Sequence, residues 1–162
     1  ELNFGRTVNN SDDNKLTDRS IIAMSNKLAT SCNSASVQFW STPASNLISD
    51  CGVSYLSRQL QYLRKLDLGD NRLGNTSVLS IAYGFKSLIR LLLGTSLVTS
   101  DDNAITDQNM LVLGCQLKYL KELFLWSLGL NPLTLKRLNL LLPSTSICAD
   151  PHAVAYFPSE YL

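Results

Sequence analysis

Groups able to do covalent or metal chemistry are few in this sequence. His152 is the only histidine among 162 residues, so a histidine base or ligand is confined to the C-terminal tail. Cys148 stands four residues before it, but no third group lies near in sequence to orient the imidazole. Cys32, Cys51, Cys115 and Cys148 are scattered and form no Cys-x-x-Cys pair, which points to reduced thiols in an intracellular protein rather than to a zinc or dithiol site. The stretches Ser11-Asp12-Asp13-Asn14 and Ser100-Asp101-Asp102-Asn103 nearly match, and paired acids of this kind can hold Ca²⁺. Each alone supplies too few well-spaced carboxylates, and turn formation with helix capping accounts for them more simply. The sequence holds no G-x-S-x-G, H-E-x-x-H, P-loop or G-x-G-x-x-G. The expectation is a protein that is not an enzyme, with no cofactor, no metal and no small-molecule substrate.

Composition narrows the class further. The chain is 45% hydrophobic and 17% charged with a formal net charge of +1, enough apolar material for one domain under a thin coat of charge. Lys and Arg are spread along the sequence, so no nucleic-acid partner is expected. No apolar run approaches the ~18 residues of a membrane span, so none is expected. The Asn-x-Ser triplets at Asn9 and Asn75 matter only in a secreted protein. Because the sequence opens on Glu1 and the first strand pair, Leu2/Phe4, lies at its very start, a processed piece with earlier repeats or a cap removed is expected.

The elements that must carry any site are repeated. The segment Leu66-Asp67-Leu68-Gly69-Asp70-Asn71-Arg72-Leu73 reads L-x-L-x-x-N-x-L. Its strand pair recurs as Leu2/Phe4, Ala35/Val37, Leu91/Leu93 and Leu123/Leu125, at spacings of 33, 31, 25 and 32 residues along the chain. Its corner recurs as Asn14/Leu16, Asn46/Ile48 and Asn103/Ile105, with Leu128/Leu130 in the last copy. Five residues after each corner stand Ile21, Val53, Val78, Met110 and Leu135; eight after, Met24, Leu56, Ile81, Leu113 and Leu138; twelve after, Leu28, Leu60, Phe85, Leu117 and Leu142. These offsets trace one stripe of an amphipathic helix. Thr17-Asp18, Ser49-Asp50, Asn75, Thr106-Asp107 and Asn131-Pro132 mark the helix starts. A helical bundle would share the stripe but not the period-two strand pairs that precede it.

Leu63-Arg64-Lys65-Leu66-Asp67-Leu68-Gly69-Asp70-Asn71-Arg72-Leu73 resembles the L-x-x-L-x-L-x-x-N-x-L unit of leucine-rich repeats of the ribonuclease-inhibitor type, and the resemblance runs over about residues 1–142. It implies an α/β solenoid, a horseshoe with parallel strands on the concave face and helices on the convex face. It also implies that Asn14, Asn46, Asn71 and Asn103 turn inward to satisfy backbone groups where the chain leaves the sheet. Five repeats are expected over 1–142, with strand pairs at 2–4, 35–37, 66–68, 91–93 and 123–125, followed by an irregular cap over 143–162 in which Ile147/Ala149 forms a last strand. Repeats one, two and four carry six or seven extra residues between strand and corner, all leaving one edge of the sheet.

In such a sheet the outward residues form rows. One is Glu1, Ser34, Lys65, Arg90 and Glu122; the central one is Asn3, Ser36, Asp67, Leu92 and Phe124; the third is Gly5, Gln38, Gly69, Gly94 and Trp126. Leu92, Phe124 and Trp126 with Arg90 and Glu122 at the margin have the make-up of an interface hot spot. The expected partner is therefore another protein, bound through Lys65, Asp67, Arg90, Leu92, Glu122, Phe124 and Trp126 and through the strand-edge loops. The competing expectation is that Tyr156, Phe157 and Tyr161 of the tail fold over Phe124 and Trp126. Phe39, Trp40 and Pro43 form either a second contact or a cover for the core. By analogy of architecture alone, a GTPase regulator resembling the Ran GTPase-activating protein is the alternative, drawing on Asp67, Asp70, Asn71 and Arg72. The expected location is cytoplasmic, or the host cytoplasm for a bacterial effector, and a scaffold role fits the same reading.

Overall fold

A computed structural model of the chain describes residues 2–3, 16–29, 36–38, 47–69, 71, 73–94, 105–125 and 128–149. Strands and helices alternate: β1 Leu2–Asn3, α1 Asp18–Ala29, β2 Ser36–Gln38, α2 Asp50–Gln59, β3 Lys65–Asp67, α3 Asn75–Gly84, β4 Arg90–Leu92, α4 Asp107–Gln116, β5 Glu122–Phe124, α5 Pro132–Leu141 and β6 Ser146–Cys148. The strands form one all-parallel sheet in the order β1-β2-β3-β4-β5-β6, each pairing with the next in sequence. Parallel neighbours joined by a helix require a crossover, and crossovers of one hand that always advance in one direction place their helices on one side of the sheet. Each helix packs on the next, α1 on α2 through to α4 on α5.

Burial follows the repeat. Val53, Val78 and Met110, then Leu56, Ile81, Leu113 and Leu138, then Leu60, Phe85, Leu117 and Leu142 are all buried in one apolar cluster. Leu66, Leu91 and Leu123 reach the same cluster from the strands, and Leu63, Leu88 and Leu120 from the turn before each strand. Burying a side chain of this size contributes about 1.5–3 kcal/mol each, so the three stripe positions of each of α2, α3 and α4, with the leucines of β3, β4 and β5, hold these units together.

The strand registers bear out the rows from β3 onward and correct β2. Leu66, Leu91, Leu123 and Ile147 are in register, as the repeat implies. In β2, however, Val37 rather than Ala35 pairs with Leu66, which puts Ser36 beside Lys65 and Gln38 beside Asp67. The central row is therefore Asn3, Gln38, Asp67, Leu92, Phe124 and Cys148. A slip of two residues keeps every side chain on its face, so alternation alone does not distinguish the two registers. The last strand forms where Ile147 was expected to lie, but it begins at Ser146 and pairs Cys148 with Phe124.

The helix-start residues do more than end their own helices. Ser49 caps α2 by accepting from Cys51 N at 3.3 Å, and Asn131 caps α5 by accepting from Leu133 N at 2.8 Å. The α3 cap position falls on Gly74, and Asn75 is the first helical residue. The first residue of each of α1 to α4 reaches sideways to the next unit. Asp18 Oδ1 accepts from Ser49 N at 2.8 Å, Asp50 Oδ1 from Gly74 N at 2.7 Å, Asn75 Oδ1 from Thr106 N at 3.0 Å and Asp107 Oδ1 from Asn131 N at 3.0 Å. A helix N-terminus leaves its first N–H groups without intrahelical partners, and here the preceding unit supplies an acceptor just ahead of each.

Asn71 plays the corner part. Its buried Nδ2 donates to Leu68 O at 3.1 Å and Gly69 O at 2.9 Å, and its Oδ1 accepts from Ile48 N of the preceding unit at 3.3 Å. Asn14, Asn46 and Asn103, the three inserted segments, Phe39, Trp40, Pro43 and the residues after Ala149 lie outside the described residues. Among the described residues, no helix is long and apolar enough to cross a membrane.

Candidate interaction face

From β3 onward the sheet face away from the helices carries two of the expected rows. Lys65, Arg90, Glu122 and Ser146 are successive partners across β3 to β6, and so are Asp67, Leu92, Phe124 and Cys148. Neighbours in a row stand ~4.8 Å apart, close enough for direct side-chain contact. Strand alternation sends Leu66, Leu91 and Leu123 into the core, and so sends these residues the other way.

Their side chains make a compact, polar-rimmed cluster. The Arg90 guanidinium sits 4.9 Å from the centre of the Phe124 ring, and its Nη1 lies 3.6 Å from Glu122 Oε2. Stacking of this kind contributes ~0.5–2 kcal/mol, rising with desolvation, whereas a partly exposed ion pair contributes at most ~1 kcal/mol. The ring contact and the ion pair together hold the Arg90 guanidinium over Phe124. Leu92, Phe124 and Cys148 form a second apolar cluster, separate from the main core. Gly69 makes room for it: a Cβ there would collide with the Gly94 carbonyl oxygen of the next unit and stand 2.6 Å from Leu92 Cδ2. Asp67 turns back on its own strand end, accepting from Gly69 N at 3.1 Å.

Phe124 and Leu92 were read as anchors, with cover of Phe124 by the tail as the competing reading, and they are only 5% and 9% exposed. Two apolar side chains adjacent in register, with an arginine across one of them, lose most of their water-facing surface to each other and to their surroundings. What the face offers to solvent is its margin, where Lys65 is exposed and the Glu122 side chain is 37% exposed. Trp126 lies outside the described residues, as do Asp70 and Arg72.

Sequence reasoning missed two features. Cys148 joins Leu92 and Phe124, which required the register of β6, visible beforehand only as the Ile147/Ala149 pair. The turns before the strands present Tyr62 and Tyr119 to solvent at 62% and 71% exposure, beside exposed Arg64, Lys86, Lys118 and Lys121. Their signal was a fixed place three residues ahead of β3 and β5, outside both the strand and helix patterns. As to chemistry, among the described residues no group of three His, Cys, Asp or Glu side chains could hold a metal ion. Asn71, at the sheet edge on which the GTPase-regulator alternative drew, has both its amide atoms bonded within the scaffold, the role expected of it. Comparison with known proteins finds no matching family model and no matching curated protein.

Proposed function

We propose that the chain is a leucine-rich-repeat solenoid of the ribonuclease-inhibitor type and that it binds another protein through the sheet face away from its helices. The observation that carries this reading is the Arg90–Phe124 stack with Glu122 alongside, flanked by exposed Lys65 on the same row. An arginine held over an aromatic ring loses less freedom on binding than an unsupported one, and Arg and aromatic residues are enriched where interfaces gain most of their energy. The sequential parallel sheet and the side-by-side helices support the solenoid reading.

A photocrosslinking residue installed at Lys65 or Glu122 tests it directly in cells. One discrete protein adduct is expected from both positions, absent when the same residue is placed at Lys136 on α5 and lost when Arg90→Glu is added. Adducts of the same pattern from all three positions, or none from the sheet face, would end the proposal.

A further inference from the structure

The tertiary structure gathers cations that the sequence scatters. Consecutive turns between helix and strand are tied in register by Lys86 N to Gln61 O at 2.9 Å, Ile89 N to Arg64 O at 2.7 Å and Lys121 N to Ile89 O at 2.7 Å. These bonds stack the turns at the ~4.8 Å strand spacing. Tyr62, Ser87 and Tyr119 then form one row, three residues ahead of β3, β4 and β5. Lys86 and Lys118 lie in the row on one side of it, and Arg64 and Lys121 in the row nearer the sheet on the other. All four cations and both tyrosines are exposed. Arg58 extends the same edge and is exposed.

Counter-charge is kept away from this edge. Among the described residues Glu122 is the one acid here, and it is paired with Arg90. Asp18, Asp50 and Asp107 sit at the helix starts, one helix length from the edge, and are spent on the next unit's backbone. Lys86 and Lys118 directly follow helix ends, where they complement the negative end of the helix dipole. That account does not reach Arg64 or Lys121, which stand at the strand entries. Among the described residues, the two well-exposed tyrosines between rows of cations join neither apolar cluster.

We infer that this edge is a second binding site, distinct from the sheet face, for a short acidic segment of a partner protein lying across the turns with its carboxylates on Lys86, Lys118, Arg64 and Lys121 and its apolar groups on Tyr62 and Tyr119. Size selects a peptide over a nucleic acid. Two strand steps separate the tyrosines, so the strip is ~10–15 Å long. Four or five extended residues cover that length at ~3.3 Å each, whereas single-stranded nucleic-acid sites commonly take ~4–16 nucleotides per domain. Tyrosine adds contact area with few rotatable bonds, which suits it to flank charges at an interface.

Fluorescence anisotropy with a labelled peptide of about ten alternating glutamate and leucine residues, long enough to overlap the strip at ~3.3 Å each, tests the site on the full chain. Binding that falls with salt is expected, with Lys118→Glu/Lys121→Glu weakening it at least about tenfold and Tyr119→Ala weakening it severalfold. The control Lys136→Glu/Arg137→Glu makes the same change of charge on α5 and is expected to leave binding within about twofold, because screened surface charges act over ~8–10 Å. Thermal melts confirm that each variant folds. Equal loss in the control, no loss from Tyr119→Ala, or tighter binding of a thymidine oligonucleotide of the same length overturns the site. The sheet-face proposal stands or falls separately, because its crosslinks and Arg90 variant leave these turns intact.

Discussion

Asn71 does the most per side chain. It closes three hydrogen bonds with buried backbone, two within its own turn and one to the unit before. Asn71→Ala strands two carbonyls and one N–H away from water, and a loss of about 3 kcal/mol is expected in urea unfolding. Asn71→Asp retains the acceptor for Ile48 N but has no donor for Leu68 O or Gly69 O, so it is expected to be no better than alanine. Asp50 offers the complementary case. Its carboxylate takes Gly74 N, Ser77 N and the Ser77 hydroxyl at once. Asp50→Ala is expected to cost about 1–2 kcal/mol and Asp50→Asn less, since Oδ1 survives as an acceptor. Equal losses from the two Asp50 variants would mean that the bridge to α3 contributes nothing.

Helix pairs show why local preference does not decide stability. Gly84 is the last residue of α3, where alanine is the better helix former by ~1 kcal/mol. A Cβ at Gly84, however, would stand 2.8 Å from Ser57 Oγ and 3.0 Å from the Ser57 carbonyl oxygen of α2. The carbonyl belongs to a helix and cannot give way, so Gly84→Ala is expected to destabilise by about 1–3 kcal/mol. A raised melting temperature would show that α2 and α3 separate at little cost. The helix stripes themselves were readable in advance: Val53, Leu56 and Leu60 in α2 and Val78, Ile81 and Phe85 in α3 are all buried. Sideways bonds such as Asp18 to Ser49 were not, because their partners lie a full repeat away and each residue also reads as an ordinary helix start.

Across the whole molecule, strands pair with their sequence neighbours and helices pack chiefly on the next helix. Free energy in such an array is close to a sum over units and their shared boundaries, so damage stays local. Leu138→Ala in α5 is expected to cost about 2–5 kcal/mol and to speed amide exchange in α5 and β6. Amides in β3 and α3 are expected to change little in the same measurement. A uniform loss of protection would mean that the sheet unfolds as one cooperative block.

The sequence by itself determined the alternation of short strands and helices, the buried stripe and most of the rows on the sheet face, because those depend on periodicities of two and 3.6 that neighbouring residues already display. It did not determine the register of β2, since a two-residue slip preserves both the alternation and the buried face. Nor did it reveal that Leu92 and Phe124 are covered, which depends on side chains from separate strands meeting at ~4.8 Å. Arg64, Lys86, Lys118 and Lys121 look dispersed along the chain and become one edge only when the turns stack. Proximity across repeats is a property of the folded chain, and local sequence carries no record of it.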